Sequence, residues 1–179
     1  VVLCNTNAEI CGLNKKLRQI HNPRPSSQSD PCVMDYANGV WRYDAFRFGT
    51  GDKVINIVNK YGEDHNENIF LECANGEIGT EMHAKGTKIT VQFPTNLVEF
   101  DIQEEKSLRP AYALTVHKSQ GSEYATVIVK CKFTFGDNRK RFYTAVTRAQ
   151  QKCIVFEVGN DIARCIRSTS SMRFTKLMQ

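Results

Sequence analysis

Two short segments of this chain hold side chains whose types and spacing can do chemistry. In Thr115–Glu123 (TVHKSQGSE) a hydroxyl at Thr115, an imidazole at His117 and an ammonium at Lys118 stand close together. Such a set suits contacts to phosphates along a single nucleic-acid strand, and the imidazole ring can also stack on a base. A few residues on, Gly121 allows close backbone approach, and the Glu123 carboxylate can accept from sugar hydroxyls. The second segment, Tyr143–Ala149 (YTAVTRA), ends on Arg148, a permanently charged, planar set of N–H donors. Each residue also has a plainer reading. A lone histidine is more often structural, Gly121–Glu123 can be a tight turn with a solvated glutamate, and Arg148 can cap a helix C-terminus through the macrodipole.

Alternating strands and helices must position these groups. Val1-Val2-Leu3-Cys4 is a short apolar run of buried-strand type, and Thr6 and Glu9 have the spacing of a capping box. A helix is expected from there to Asn22-Pro23, with Ile10, Leu13, Leu17 and Ile20 on its apolar face and Lys15, Lys16 and Arg18 largely outside it. Pro23–Pro31 reads as a connection rich in Pro, Ser, Gln and Asp. Further on, strands are expected near Tyr112–Val116, Thr126–Lys130 and Cys153–Val158, with a helix over Lys140–Thr147. That rhythm implies an α/β sheet. Gly121 and Glu123 fall where a strand end turns into a loop, the usual place for ligands in open α/β sheets. The last stretch, from Asn160, starts as a helix and frays into a basic tail.

Between these parts the period changes. Lys53–Asn59, Ile69–Ala74, Gly79–His83, Lys88–Phe93 and Leu97–Ile102 read as short strands, separated by turns such as Asn75-Gly76 and Lys85-Gly86. Short strands with tight turns suggest a small barrel inserted in the larger domain. Trp41, Tyr43, Phe46 and Phe48, interleaved with Arg42 and Arg47, offer stacking faces beside cations or core residues at the barrel junction. Lys53, Lys60, Lys85 and Lys88 give the barrel a positive field that Glu63, Asp64, Glu67 and Glu72 dilute. Arg139-Lys140-Arg141 reads as a solvated face.

Composition sets the outer bounds. A chain of 179 residues, 41% hydrophobic and 24% charged, is of the globular class. A net charge of +5 is compatible with a polyanionic partner without requiring one. Seven cysteines form no CxxC pair and have no histidine at metal-ligand spacing, so they read as reduced, mostly buried thiols of an intracellular protein. No signal peptide and no apolar run of membrane-spanning length is present, and an opening Val suggests a piece of something longer. No GxxxxGK[ST] loop occurs, so the backbone cradle and lysine that seat nucleotide phosphates are missing from the sequence.

Thr115–Glu123 and Tyr143–Ala149 resemble motifs five and six of superfamily 1 helicases of the RecD-like, 5′-to-3′ branch. Cys4–Leu17 (CNTNAEICGLNKKL) is similar to motif four, more loosely. Gly51–Val54 (GDKV) and Asn75–Gly79 (NGEIG) resemble the Src-homology-3-like barrel that the family inserts before motif five. The resemblance covers roughly Val1–Gly159, with the Pro23–Asp44 connection and the tail unmatched. It implies a RecA-like parallel-sheet domain of P-loop NTPase type, lacking the Walker motifs: residues 1–45 and 108–159, a barrel over 46–107 and a basic tail over 160–179.

What the resemblance implies for function is the C-terminal motor half of an ATP-dependent DNA helicase. The chain alone is then inactive, because a separate N-terminal RecA-like domain holds most of the ATP and its Mg²⁺. Arg148 would be the arginine finger. Gln120, Gly121 and Glu123 would face the nucleotide, with Glu123 on its sugar, and Asn7, Thr115, His117 and Lys118 would contact single-stranded DNA. Ala8 departs from relatives that carry a basic residue after the asparagine, which weakens one phosphate contact, and helix capping is the competing role of Thr6 and Asn7. The alternatives are a viral-type superfamily 1 RNA helicase and a non-catalytic, helicase-like binding scaffold. No membrane partner is expected, and the compartment is cytoplasm or nucleus.

Overall fold

A computed structural model of the chain describes residues 1–23, 34–37, 40–43, 50–85, 88–101, 107–133, 138–157 and 159–168, without the side chains of 34–43 and 81–85. The described residues fall into two compact units, one within Val1–Thr6 and Leu114–Gln179, the other within Asn7–Ala113. The aromatic and arginine cluster at 41–48 lies outside the described side chains, as do Cys32 and the Lys85-Gly86 turn.

The first unit is built on strands β1 (Val2–Cys4), β11 (Ala113–Thr115), β12 (Tyr124–Cys131) and β13 (Ala149–Glu157), in the sheet order β11-β1-β12-β13. β1 pairs parallel with β12, and β12 parallel with β13. Helices α2 (Asn138–Val146) and α3 (Asp161–Arg167) pack on one another, and α2 also meets β12 and β13. Leu3, Cys4, Val127, Val129, Cys131, Ala145 and Cys165 are buried. The α/β rhythm expected from the sequence is therefore present, as a mixed fold with a parallel sheet. Cys131 and Cys165 carry free thiols with sulfurs 3.8 Å apart, and burial pushes the Cys131 thiol up to about 12. Among the described cysteines only Cys153 is exposed.

The second unit holds α1 (Asn7–His21), hairpin β2 (Met34–Ala37)/β3 (Val40–Tyr43), β4 (Lys53–Asn56), β5 (Lys60–Glu63), β6 (Ile69–Cys73), β7 (Ile78–Lys85), β8 (Lys88–Gln92), β9 (Leu97–Asp101) and β10 (Leu108–Pro110). Five of these strands make an antiparallel sheet in the order β10-β4-β7-β8-β9, and β5 with β6 forms a separate ribbon. The sheet surrounds its own core of Val54, Cys73, Ile89, Val91, Phe93, Val98, Phe100 and Leu108. The alternation that predicts these strands is visible in burial, as Val98 and Phe100 point in while Leu97, Glu99 and Asp101 point out. Gly79 is required by crowding. A Cβ there would stand 2.6 Å from Val91 Cγ1 and 2.7 Å from the Gln92 carbonyl. The hairpin β2/β3 and the strands β5 and β10 are not foreseen by the sequence pattern, since each is only three or four residues long.

Helix α1 corrects one expectation. Its deeply buried positions are Ile10, Asn14 and Arg18, whereas Ile20 is 72% exposed. The reason is polar pairing. The Asn14 side chain donates to the carbonyl of Ala113 at 3.0 Å and accepts its amide at 2.7 Å, satisfying backbone that would otherwise be buried unpaired. Arg18 donates to both Asp52 oxygens, Nε to Oδ1 at 3.1 Å and Nη2 to Oδ2 at 2.7 Å. Asp52 also accepts from Asn22 at 2.9 Å and from the Tyr112 hydroxyl at 3.1 Å. Burial first, and the Asp52 charge second, push the Tyr112 hydroxyl up to about 12.

At the tip of the β5/β6 ribbon the Asp64 carboxylate accepts the amides of Asn66 (2.8 Å) and Asn68 (2.9 Å) and the Asn68 side chain (2.9 Å). The Asn68 side chain and then the two amides hold its pKa below the usual carboxylate value. A depressed folded pKa makes the contribution complete above the unfolded pKa and lost as pH falls through the folded one. Hydrogen-exchange protection at the Asn66 and Asn68 amides is therefore expected to drop as pH falls below the ordinary carboxylate range. In Asp64→Ala it is expected to be low at every pH. A wild-type profile that stays flat into strong acid would show that the carboxylate does not hold the tip.

Candidate functional site

The candidate residues of the first unit lie on one connection and one helix end. Beyond β11, residues 116–121 wind through successive turns closed by backbone bonds from Ser119 to Thr115 (3.2 Å) and from Gln120 to His117 (3.3 Å). The interior of this turn is sealed by hydroxyls. Ser119 is fully buried and donates to the Val116 carbonyl at 2.8 Å, and the Thr115 hydroxyl accepts the Lys118 amide at 3.2 Å. Thr115 is itself buried, so its hydroxyl serves the turn, while His117, Lys118 and Gln120 face outward. The Val116 amide bonds the Cys4 carbonyl at 3.1 Å and ties the turn to β1.

Gly121 closes the turn with φ +85°, a left-handed conformation that strains any residue with a Cβ. No heavy atom lies within 4 Å of where that Cβ would stand, so backbone conformation sets the requirement and the space beside the glycine is open. Glu123 follows, exposed, just before β12 begins.

Arg148 lies two residues beyond α2 and folds back on it. Nε donates to the Thr144 carbonyl at 3.2 Å, so the side chain caps the last turn of the helix. Its Nη1 donates to the Ser122 carbonyl at 3.3 Å and Nη2 to the Thr147 hydroxyl at 3.4 Å. The Arg148 carbonyl in turn accepts the Tyr124 amide at 2.9 Å. The guanidinium and the end of the Thr115–Glu123 turn are thus one bonded unit, although far apart in sequence. Burial raises the Tyr124 hydroxyl pKa, opposed by the Ser122 side chain and the Arg148 charge.

Asn7 belongs to the other unit, where it is the exposed first residue of α1. Sequence reasoning missed Ser119, Ser122 and Gln150. Gln150 Nε2 donates to Glu123 Oε2 at 3.1 Å. A buried serine inside a polar turn and a glutamine opening a strand leave no pattern in the sequence, because their roles depend on partners brought in by folding. Among the described residues no three His, Cys, Asp or Glu side chains come together as a metal site, and no helix is long and apolar enough to cross a membrane.

The parallel sheet, the separate antiparallel sheet and the bonded pair of turn and arginine are similar to the C-terminal domains of superfamily 1 helicases of the RecD-like type. Residues 110–156, which span β11, the turn, α2 and most of β13, match the UvrD-like helicase C-terminal domain. The chain is 38% identical over 104 residues to the ATP-dependent RecD2 DNA helicase of Deinococcus radiodurans, a match covering 57% of this chain and 13% of that protein. The fold is similar to Pif1 helicase from Bacteroides in complex with ADP-AlF3 and ssDNA (TM-score 0.58, 16% identity, 87% of this chain, 39% of that one). It is also similar to Pif1 helicase from Candida albicans (TM-score 0.57, 16% identity, 88% of this chain, 44% of that one). The chain therefore spans less than half the length of each relative.

Proposed function

We propose that this chain is the C-terminal motor half of an ATP-dependent DNA helicase that moves 5′ to 3′ along single-stranded DNA. The observation that carries the proposal is the bonded unit of Arg148 with Ser122 and Tyr124, which joins the turn bearing His117 and Lys118 to the arginine after α2. In this reading residues 1–45 and 108–159 form one RecA-like domain interrupted by a barrel at 46–107, with 160–179 a tail. Its partner is an N-terminal RecA-like domain that binds ATP and Mg²⁺.

The residues present fit one flank of a nucleotide. Arg148 supplies a planar cation for phosphate oxygens, Glu123 an exposed acceptor for sugar hydroxyls, and Gln120 with Gly121 an open polar edge beside them. ATP with Mg²⁺ supplies the phosphoryl chemistry, and this chain supplies charge and orientation. The outward His117 and Lys118 grip the phosphates and bases of a single strand, with Thr115 shaping the turn that presents them, and Asn7, in the other unit, is read separately as a strand-contacting residue. When the two RecA-like domains close, Arg148 leaves the Ser122 carbonyl for the phosphates. The loss of that bond is felt directly in the strand-gripping turn, so closure couples chemistry to movement.

The test uses the full-length protein, with this chain alone as a control. Single-stranded DNA is expected to stimulate ATP hydrolysis by the full protein and to leave the isolated chain without activity. His117→Ala is expected to weaken strand binding several-fold. Hydrolysis by the isolated chain, or a DNA titration unchanged by the substitution, would sink the proposal. Stimulation by RNA in preference to DNA would move the reading to an RNA helicase.

A further inference from the structure

The geometry points to Gln150 as a positioning residue that aims the Glu123 carboxylate at the sugar of the bound nucleotide, and so sets selectivity for its ribose hydroxyls. The inference rests on the reading of Glu123 given above. Gln150 Nε2 donates to Glu123 Oε2 at 3.1 Å, between residues 27 apart in sequence. The strand pairing explains how they meet. Tyr124 is opposite Ala149, but Thr126 is opposite Lys152, so Gln150 and Gln151 together face the single residue Ala125. One extra residue on β13 is a β-bulge, a device that re-aims a side chain where regular alternation would send it elsewhere. The bulge lies at the first pairs of the two strands, next to Arg148, whose carbonyl accepts the Tyr124 amide at 2.9 Å.

Both side chains are exposed, so a bond between them adds little to folding stability. Its effect is on orientation. A glutamate on a free loop samples several rotamers, and one oxygen held by an amide N–H leaves the other directed as an acceptor. The donor must be neutral or cationic and long enough to span the bulge. A carboxylate at the same place would repel Glu123.

The experiment compares ATP with 2′,3′-dideoxy-ATP as substrates of the full-length enzyme, in wild type, Gln150→Ala, Gln150→Glu, Glu123→Ala and the Glu123→Ala/Gln150→Ala double variant. Gln150→Ala is expected to reduce the preference for ATP over the dideoxy analogue by about three- to tenfold, with the loss lying in KM for ATP more than in kcat. Gln150→Glu is expected to lose at least as much. In the Glu123→Ala background the Gln150 substitution is expected to have no further effect, since it acts through the missing carboxylate. A preference lost in Glu123→Ala but intact in Gln150→Ala would overturn the inference while leaving the role of Glu123 standing. A preference intact in Glu123→Ala would overturn the nucleotide reading itself, and the inference with it.

Discussion

Arg148→Ala in the full-length protein is expected to lower kcat for DNA-stimulated ATP hydrolysis by about 10³-fold or more, while single-strand affinity changes little. Fingers of this kind are worth roughly 10³–10⁵ in rate in other nucleotidases. The size follows from charge: equatorial phosphoryl oxygens gain negative charge in the transition state, and a guanidinium meets them with paired donors that an ammonium lacks. Arg148→Lys is therefore expected to recover little. The alternative to exclude is structural, since the same side chain bonds Thr144 O at 3.2 Å and Ser122 O at 3.3 Å. Loss of one partly exposed cap costs on the order of 1 kcal/mol, too little to unfold a domain of ordinary stability. A near-wild-type rate in a folded Arg148→Ala enzyme would remove the finger from the proposal. A melted variant would show that the cap dominates.

Asp52→Ala is expected to destabilise the chain by roughly 3–5 kcal/mol, read as a shift in the urea midpoint. Asp52 is fully buried and accepts from Arg18, Asn22 and Tyr112. Removing it leaves the Arg18 guanidinium, itself 2% exposed, as a buried charge without its carboxylate. Replacing both charged partners together, as Arg18→Met with Asp52→Leu, is expected to recover much of the loss, since the desolvation cost of each ion disappears with the ion. If Asp52→Ala melted like the wild type, the pair would be a passive feature of the fold. If the double replacement were no better than the single one, the hydrogen bonds to Asn22 and Tyr112 would be the larger contribution.

These two sites differ in how far sequence alone reveals them. Thr115–Glu123 and Tyr143–Ala149 are contiguous, and their residue types are enough to mark them. Their placement on a strand–turn–strand and a helix end also follows from local pattern, because strand alternation and helix period are properties of neighbouring residues. Apart from β5, the strands from Lys53 to Asp101 are legible for the same reason. Arg18 is not. By helical period alone a charged residue belongs outside, and only a carboxylate arriving from another part of the chain makes its burial tolerable.

The sequence by itself determined the alternation of α/β and β-rich parts, the two chemically equipped segments and the absence of a GxxxxGK[ST] loop. Tertiary structure decided which groups meet: Arg18 with Asp52, Arg148 with Ser122, and Gln150 with Glu123 across a bulge. The physical reason is that periodicity records which face of an element avoids water. The partner of a polar group is fixed by strand register and loop path, and these emerge only when the whole core has packed.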